Sequence, residues 1–264
     1  MPERANNGVT IRRVPAVARA VAILRKLGAS PEPLGVNRLA RELDLVPSTC
    51  LHILRALAEE GLVAVDPATK RYAIGIGILP IARSALVQNS FAKVIEPGLT
   101  ELAESFGGTA LATQLGQPDH MIVIALSRAG QPFRLQVDLG SRFPALISAT
   151  GRCHAAHNLR HLASRELKVR FQQLKWDNRP TFAAWKREVD AVGELGYAVD
   201  KGDYINGVTI VAVPYLDASR QMTHSLVAID ISERIEAIGV EAVAEHLLKL
   251  RDAAGRLLGP SGAA

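Results

Sequence analysis

Residues 37–75 read "NRLARELDLVPSTCLHILRALAEEGLVAVDPATKRYAIG", and the change of pattern inside this stretch decides the fold. The segment "PSTCLHILRALAEEG" (47–61) opens with Pro at a first helical position, where the missing N–H has no intrahelical partner to lose, and it closes at Gly61. Cys50, Ile53, Leu54 and Leu57 recur at helical spacing and predict one apolar face, while Ser48, Thr49, His52, Arg55 and Glu59 fall elsewhere on the helix. Just upstream, Val36, Leu39, Ala40 and Leu43 set out a short second helix. Just downstream, "LVAVD" and "RYAIG" are β-type runs joined by "PATK", which predicts a hairpin tipped by Lys70 and Arg71.

Further out, "PAVARAVAILRKLG" from Pro15 places Val17, Val21, Leu24 and Leu27 on one face of a first helix, which Gly28 and "ASPEPLG" bring to an end. Helix, helix, turn, helix, hairpin is the order of a winged helix-turn-helix. The charge lies on the same segment. Residues 1–88 hold 12 Lys+Arg against 7 Asp+Glu, while residues 89–264 hold 19 of each, so the entire net charge of +5 sits in the first third. Such asymmetry points to a polyanionic partner for the N-terminal part only, and double-stranded DNA fits both the charge and the motif. Residues 1–13 read as a loose polar arm ending in Arg12 and Arg13.

The remainder has a different texture. Residues 76–90 predict a linker helix with Pro80 near its start, followed by an amphipathic helix over 92–106 with Pro97 and Gly98 inside it. Strand-like runs are expected at 109–115, 120–127, 133–137, 197–200, 208–216 and 224–231, and helices near 150–159, 162–174, 182–195 and 232–258. This predicts an α+β domain on a mostly antiparallel sheet. The organisation is then 1–75 DNA-binding domain, 76–90 linker helix and 91–264 effector-binding and oligomerisation domain. There is no run of eighteen apolar residues, no apolar core in the N-terminal "MPERANNGVTIRR", and no disulfide framework in Cys50 and Cys153. The expected location is therefore cytoplasmic, without a membrane partner.

The succession 37–75 resembles the DNA-binding segment of the IclR family of bacterial transcriptional regulators. In the second half, "LGSRFPALISATGRC" (139–153) resembles that family's G-S-x-x-P…T-A-x-G-K segment, and "GELGYAVDKGDYINGVTIVAVPYLD" (193–217) resembles its R-x-x-G-Y-x-x-D…G-x-x-x-I-A-x-P-V-x-D segment. The resemblance covers about residues 14–258. It implies a winged helix-turn-helix, a linker helix and a GAF-like effector domain, assembled as a homodimer or homotetramer. It also implies a small organic acid as effector, an aromatic or short-chain catabolite. His52 departs from the Arg frequent in the family, Arg152 from the Lys after the glycine, and Ile210 from a frequent Cys.

Two sites follow. For DNA, Ser48 and Thr49 at a helix start suit phosphate, His52 and Arg55 share a face within reach of base edges, and Lys70 and Arg71 on the wing add contacts without sequence preference. The competing reading makes Ser48 and Thr49 plain helix caps and pairs Arg55 with Glu59. For the effector, a helix starting near Ser148 offers free N–H groups to a carboxylate, with Ala149, Thr150 and Gly151 beside it. Arg142 or Arg152 supplies charge, Asp200 lies in the matching second motif, and Leu146, Val211, Val213 and Leu226 are the candidate apolar lining. Again Ser148 and Thr150 can be read as caps alone.

Cys153, His154 and His157 invite a metal reading, but three local ligands fall short of a closed zinc site, so no metal is expected at Cys153 and His157. No cofactor is expected either. The chain lacks a Walker A loop, an H-E-x-x-H motif and a G-x-S-x-G elbow, and "GIGILP" follows a wing instead of a βαβ strand, which argues against an enzyme. A DNA-binding protein with a metal-binding or purely structural second domain is the rival to a ligand-responsive regulator. Repressor and activator are both open.

Overall fold

The computed structural model describes residues 14–116, 119–127 and 137–258. The chain divides into two compact units with the boundary between Val87 and Gln88.

The first unit contains α1 (Pro15–Gly28), β1 (Leu34–Gly35), α2 (Val36–Glu42), α3 (Pro47–Glu59), β2 (Val63–Val65) and β3 (Arg71–Ile74), and α4 (Ile78–Gln88) follows. Cys50, Leu54 and Leu57 of α3 are buried against Leu39 of α2 and Ile23 and Leu27 of α1, with Ile53 only half-buried. In α1 the buried stripe is rotated from the expected one: Ile23 is buried and Val17 is exposed. "AVARAVAIL" is apolar on more than one side, so spacing alone could not set its phase. β2 and β3 pair antiparallel, Val63 opposite Ile74 and Val65 opposite Tyr72. Their turn is closed by Asp66, whose carboxylate accepts the N–H of Ala68 at 2.8 Å and the hydroxyl of Thr69 at 2.7 Å. β1 was expected to be a break. It pairs with β3, Leu34 opposite Tyr72, and Leu34 is buried.

The second unit begins with α5 (Ser90–Phe106), β4 (Thr109–Gly116), β5 (His120–Leu126) and β6 (Arg142–Pro144). Three helices follow, α6 (Ser148–Asn158), α7 (Ser164–Gln172) and α8 (Phe182–Leu195). Then come β7 (Ala198–Lys201), β8 (Val208–Leu216), β9 (Met222–Ile231), α9 (Ser232–Ile238) and α10 (Val240–Leu258). The strands form one antiparallel sheet ordered β6-β5-β4-β9-β8-β7. Helices cover both faces. α5 and α10 bury Phe91, Ile95, Leu99 and Leu247 against one side, and α6, α7 and α8 bury Ala149, Phe171 and Trp185 against the other. This two-sided cover explains why β8 is buried at every position but its last. At roughly 1.5–3 kcal/mol for each large apolar side chain fully buried, these two layers carry the stability of the unit.

Three expectations need adjustment. Of the strand placed at 133–137, residues 133–136 lie outside the described residues. β6 was expected to be loop, yet Phe143 pairs with Met121 of β5. The single C-terminal helix is two, α9 and α10, because Gly239 adopts φ 95, which a helix cannot continue through. No helix among the described residues is long and apolar enough to cross a membrane.

Candidate functional site

On the first unit, α3 turns Ser48, His52 and Arg55 outward, with Thr49 half-buried. Its N-cap position is Val46, and no side chain caps the helix start, so Ser48 and Thr49 do not act as caps here. Arg55 makes no ion pair with Glu59 or with any other carboxylate among the described residues; Lys70 and Arg71, both exposed at the wing, also make none. Two cations elsewhere in the unit are neutralised. Arg38 pairs with Glu32 and Glu42, and Lys26 with Glu42. Hydrogen bonds from Lys26 and Arg38 hold Glu42 down to about 2. The outer face of α3 and the wing thus carry cations that no carboxylate among the described residues pairs. A narrow helix with an unpaired guanidinium and a free basic hairpin can enter a major groove and grip the flanking phosphates.

On the second unit, α6 starts in an unusual way. Ser148 is buried in the left-handed region at φ 62, Ile147 stands at the N-cap, and no side chain caps the helix. A Cβ on Gly151 would lie 2.0 Å from the backbone carbon of Leu146, so glycine is what lets the chain fold this tightly onto the helix start. The Thr150 hydroxyl is buried without a hydrogen-bond partner, so its capping alternative has no bond behind it. Two more hydroxyls, of Thr113 and Ser225, are buried and unpartnered, and these residues are direct cross-strand partners. Their alternation matches Leu111 and Val227, which face the α6 side of the sheet. A buried, uncapped helix start presents N–H groups and positive dipole charge to whatever binds there.

Arg152 is 1% exposed, and all three of its guanidinium nitrogens are engaged: Nε donates to Glu188 at 2.6 Å, one terminal nitrogen to Asp200 at 3.2 Å, and the other to Asp203. Burial works against its charge, but Asp200, Glu188 and Asp203 outweigh it and raise its pKa. Asp200 also accepts the N–H groups of Asp203 and Tyr204, and burial raises its pKa despite Arg152. Arg152 and Asp200 thus meet as an ion pair, which leaves Arg152 committed to holding α6, α8 and β7 together. The other proposed charge donor, Arg142, is exposed on β6.

The apolar lining is not brought together. Leu146 and Ala149 pack on the α6 side of the sheet, whereas Val211, Val213 and Leu226 pack on the α5–α10 side. The strand positions that do face α6 are Ile210, Ala212 and Val227. Sequence reading singled out Ile210 only as a departure from the family and missed Ala212 and Val227, along with Thr113, Ser225, Glu188 and Asp203. Of those missed, only Asp203 carried a signal, its place in "DKGDY" close to Asp200.

Cys153 points its Sγ at the Ala212 carbonyl at 3.5 Å, and burial pushes its thiol up to about 12, a packed and inert state. His154 is buried with neither ring nitrogen partnered, and burial pushes it down to about 4. Among the described residues no three His, Cys, Asp or Glu side chains converge to hold a metal ion.

A sensory domain joined to a winged helix-turn-helix is the architecture of a DNA-binding transcriptional regulator. Comparison with known proteins agrees. Residues 16–67 match the IclR helix-turn-helix domain, and residues 83–257 match the bacterial transcriptional regulator IclR C-terminal domain. The chain is 28% identical to the glycerol operon regulatory protein of Streptomyces griseus, over 96% of this chain and 98% of that one. An IclR transcriptional regulator structure from Alicyclobacillus acidocaldarius superposes with a TM-score of 0.81 at 26% identity, covering 94% of this chain and all of that one. The fold is shared with an IclR homologue from Microbacterium hydrocarbonoxydans complexed with 4-hydroxybenzoate, with a TM-score of 0.71 at 16% identity and coverage of 90% and 97%. The chain belongs to the IclR family of bacterial transcriptional regulators.

Proposed function

We propose that this regulator responds to a small organic acid bound at the start of α6 and controls a nearby operon, as a homodimer or homotetramer on a palindromic operator. The observation that carries the DNA half is the unpaired polar and cationic face of α3 and the wing, Ser48, Thr49, His52, Arg55, Lys70 and Arg71, on the segment that holds all the net charge. Arg55 reads a base edge and Lys70 grips phosphate. Arg55→Ala is expected to weaken the operator by roughly 1–3 kcal/mol while relaxing its sequence preference, and Lys70→Ala to weaken all duplexes alike and lower the salt slope by about 1. Gel-shift titrations at several salt concentrations check both; wild-type binding by both variants sinks the interface.

The buried, uncapped start of α6 supports the effector half. With Arg152 fully engaged, the carboxylate is held by the N–H groups of Ser148, Ala149 and Thr150 and by the Thr150 hydroxyl, Gly151 shapes the helix start, and Ile210, Ala212 and Val227 replace Val211, Val213 and Leu226 as the apolar wall. Recovery of bound genomic fragments supplies the operator. Its affinity is then measured with 4-hydroxybenzoate, short-chain carboxylates and, as the uncharged arm suggested by the Streptomyces griseus relative, glycerol. A change of about fivefold or more with an acid is expected, because an effector acts only through its differential affinity for two states. A response to glycerol alone would replace the organic acid with a polyol.

A further inference from the structure

The C-terminal turns of α8 and α10 and the β8–β9 hairpin enclose a groove of about 700 Å³, and none of the residues proposed for the effector lines it. That volume falls in the range of small-molecule sites, roughly 300–1,000 Å³. Its lining includes the small residues Gly193 of α8, Gly196 just after that helix and Gly255 of α10, with Pro214 of β8. The missing Cβ of Gly255 would meet open space.

The walls are cationic. Arg220 on the hairpin and Arg251 and Arg256 on α10 face two carboxylates, Asp217 and Asp252. Each carboxylate has one oxygen engaged: Asp217 Oδ1 accepts the N–H groups of Ser219 and Gln221 at 2.8 and 2.9 Å, and Asp252 Oδ1 accepts Arg251 Nε at 2.8 Å. The Arg220 and Arg256 side chains have neither a hydrogen bond nor an ion pair among the described residues. Arg220 stands at φ 63, a conformation uncommon for a residue with a side chain, which fixes how it leaves the hairpin tip. The adjacent wall is the half-buried imidazole of His157, whose pKa is lowered by burial and by the charges of Arg160 and Arg220, and Arg220 lines the same groove.

We propose that this groove is a second ligand site that takes a small dianionic oxyacid, a phosphate monoester or a dicarboxylate, between Arg220 and Arg256. Two planar guanidiniums from separate elements suit the paired acceptor oxygens of such an anion, and the glycine lining gives it room.

The test is isothermal titration of the full chain with inorganic phosphate and, separately, malonate, at constant ionic strength. Saturable binding is expected, with Arg220→Ala and Arg256→Ala each weakening it at least about tenfold. Gly255→Glu, which puts a carboxylate into open space beside that lining, is expected to abolish it. Preference for phosphate or malonate separates the two sources of the anion. The ligand-free thermal midpoint of the exposed Arg variants should match wild type. Equal binding by wild type and the Arg220→Ala/Arg256→Ala double variant overturns the proposal. Altered assembly of the double variant, without phosphate or malonate binding by wild type, overturns it too and makes the groove a subunit contact.

Discussion

A methyl group added at Gly151 would stand 2.0 Å from the Leu146 backbone carbon and 2.1 Å from its oxygen, with no flexible side chain there to give way. Gly151→Ala is therefore expected to destabilise the second unit by about 1–3 kcal/mol, read as a lower urea midpoint. Next to it, Arg152 is a residue whose loss is felt through what remains. Arg152→Met leaves Asp200 buried with no cation, and a broken buried pair costs roughly 3–5 kcal/mol at neutral pH. Because burial already raises the Asp200 pKa, the deficit relative to wild type should shrink as the pH falls and Asp200 takes a proton. A deficit that stays constant from pH 7 to pH 5 would show that Asp200 is not its source. The Arg152 clamp was not legible in the chain, since Glu188 and Asp203 are 36 and 51 residues from Arg152.

At the scale of elements, α3 and its hairpin were readable because their cues are local: Pro47 at one end, Gly61 at the other, and an Asp66-closed turn between two short strands. β1 has two residues, too few for any alternation, and only the partner across from Leu34 makes it a strand. β8 is the reverse case. "VTIVAVPYL" was recognised as a strand, but its burial on both faces erases the polar phase that would say which residues meet α6. The two faces give a direct test. Ile210→Ala and Val211→Ala should both lower stability, by roughly 2–4 kcal/mol and somewhat less respectively. Only Ile210→Ala should also shift the effector midpoint of DNA binding, since Val211 packs towards α5 and α10. Equal shifts from both would remove the α6 face as the effector wall.

For the molecule as a whole, two buried imidazoles set the response to acid. Burial pushes His154 and His224 down to about 4, the latter stacked on Phe91 at 4.1 Å between centroids. The unfolded chain takes up these protons near pH 6.5 and the folded chain only near pH 4, so stability is full above about 6.5 and is lost as the pH falls towards 4. By pH 5 the loss should reach roughly 1–2 kcal/mol for each imidazole. Urea midpoints at pH 7 and pH 5 measure it, and His224→Phe should flatten the dependence.

The sequence by itself determined the helices and longer strands, the winged helix-turn-helix and its excess of positive charge, because caps, turns, hydrophobic period and net charge are properties of neighbouring residues. Only the tertiary structure decided that Arg152 is engaged by Glu188, Asp200 and Asp203, that Val211, Val213 and Leu226 face away from α6, and that Arg220 and Arg256 share a groove. Those facts depend on sheet phase and on partners dozens of residues away, which come together only when both faces of the sheet are covered.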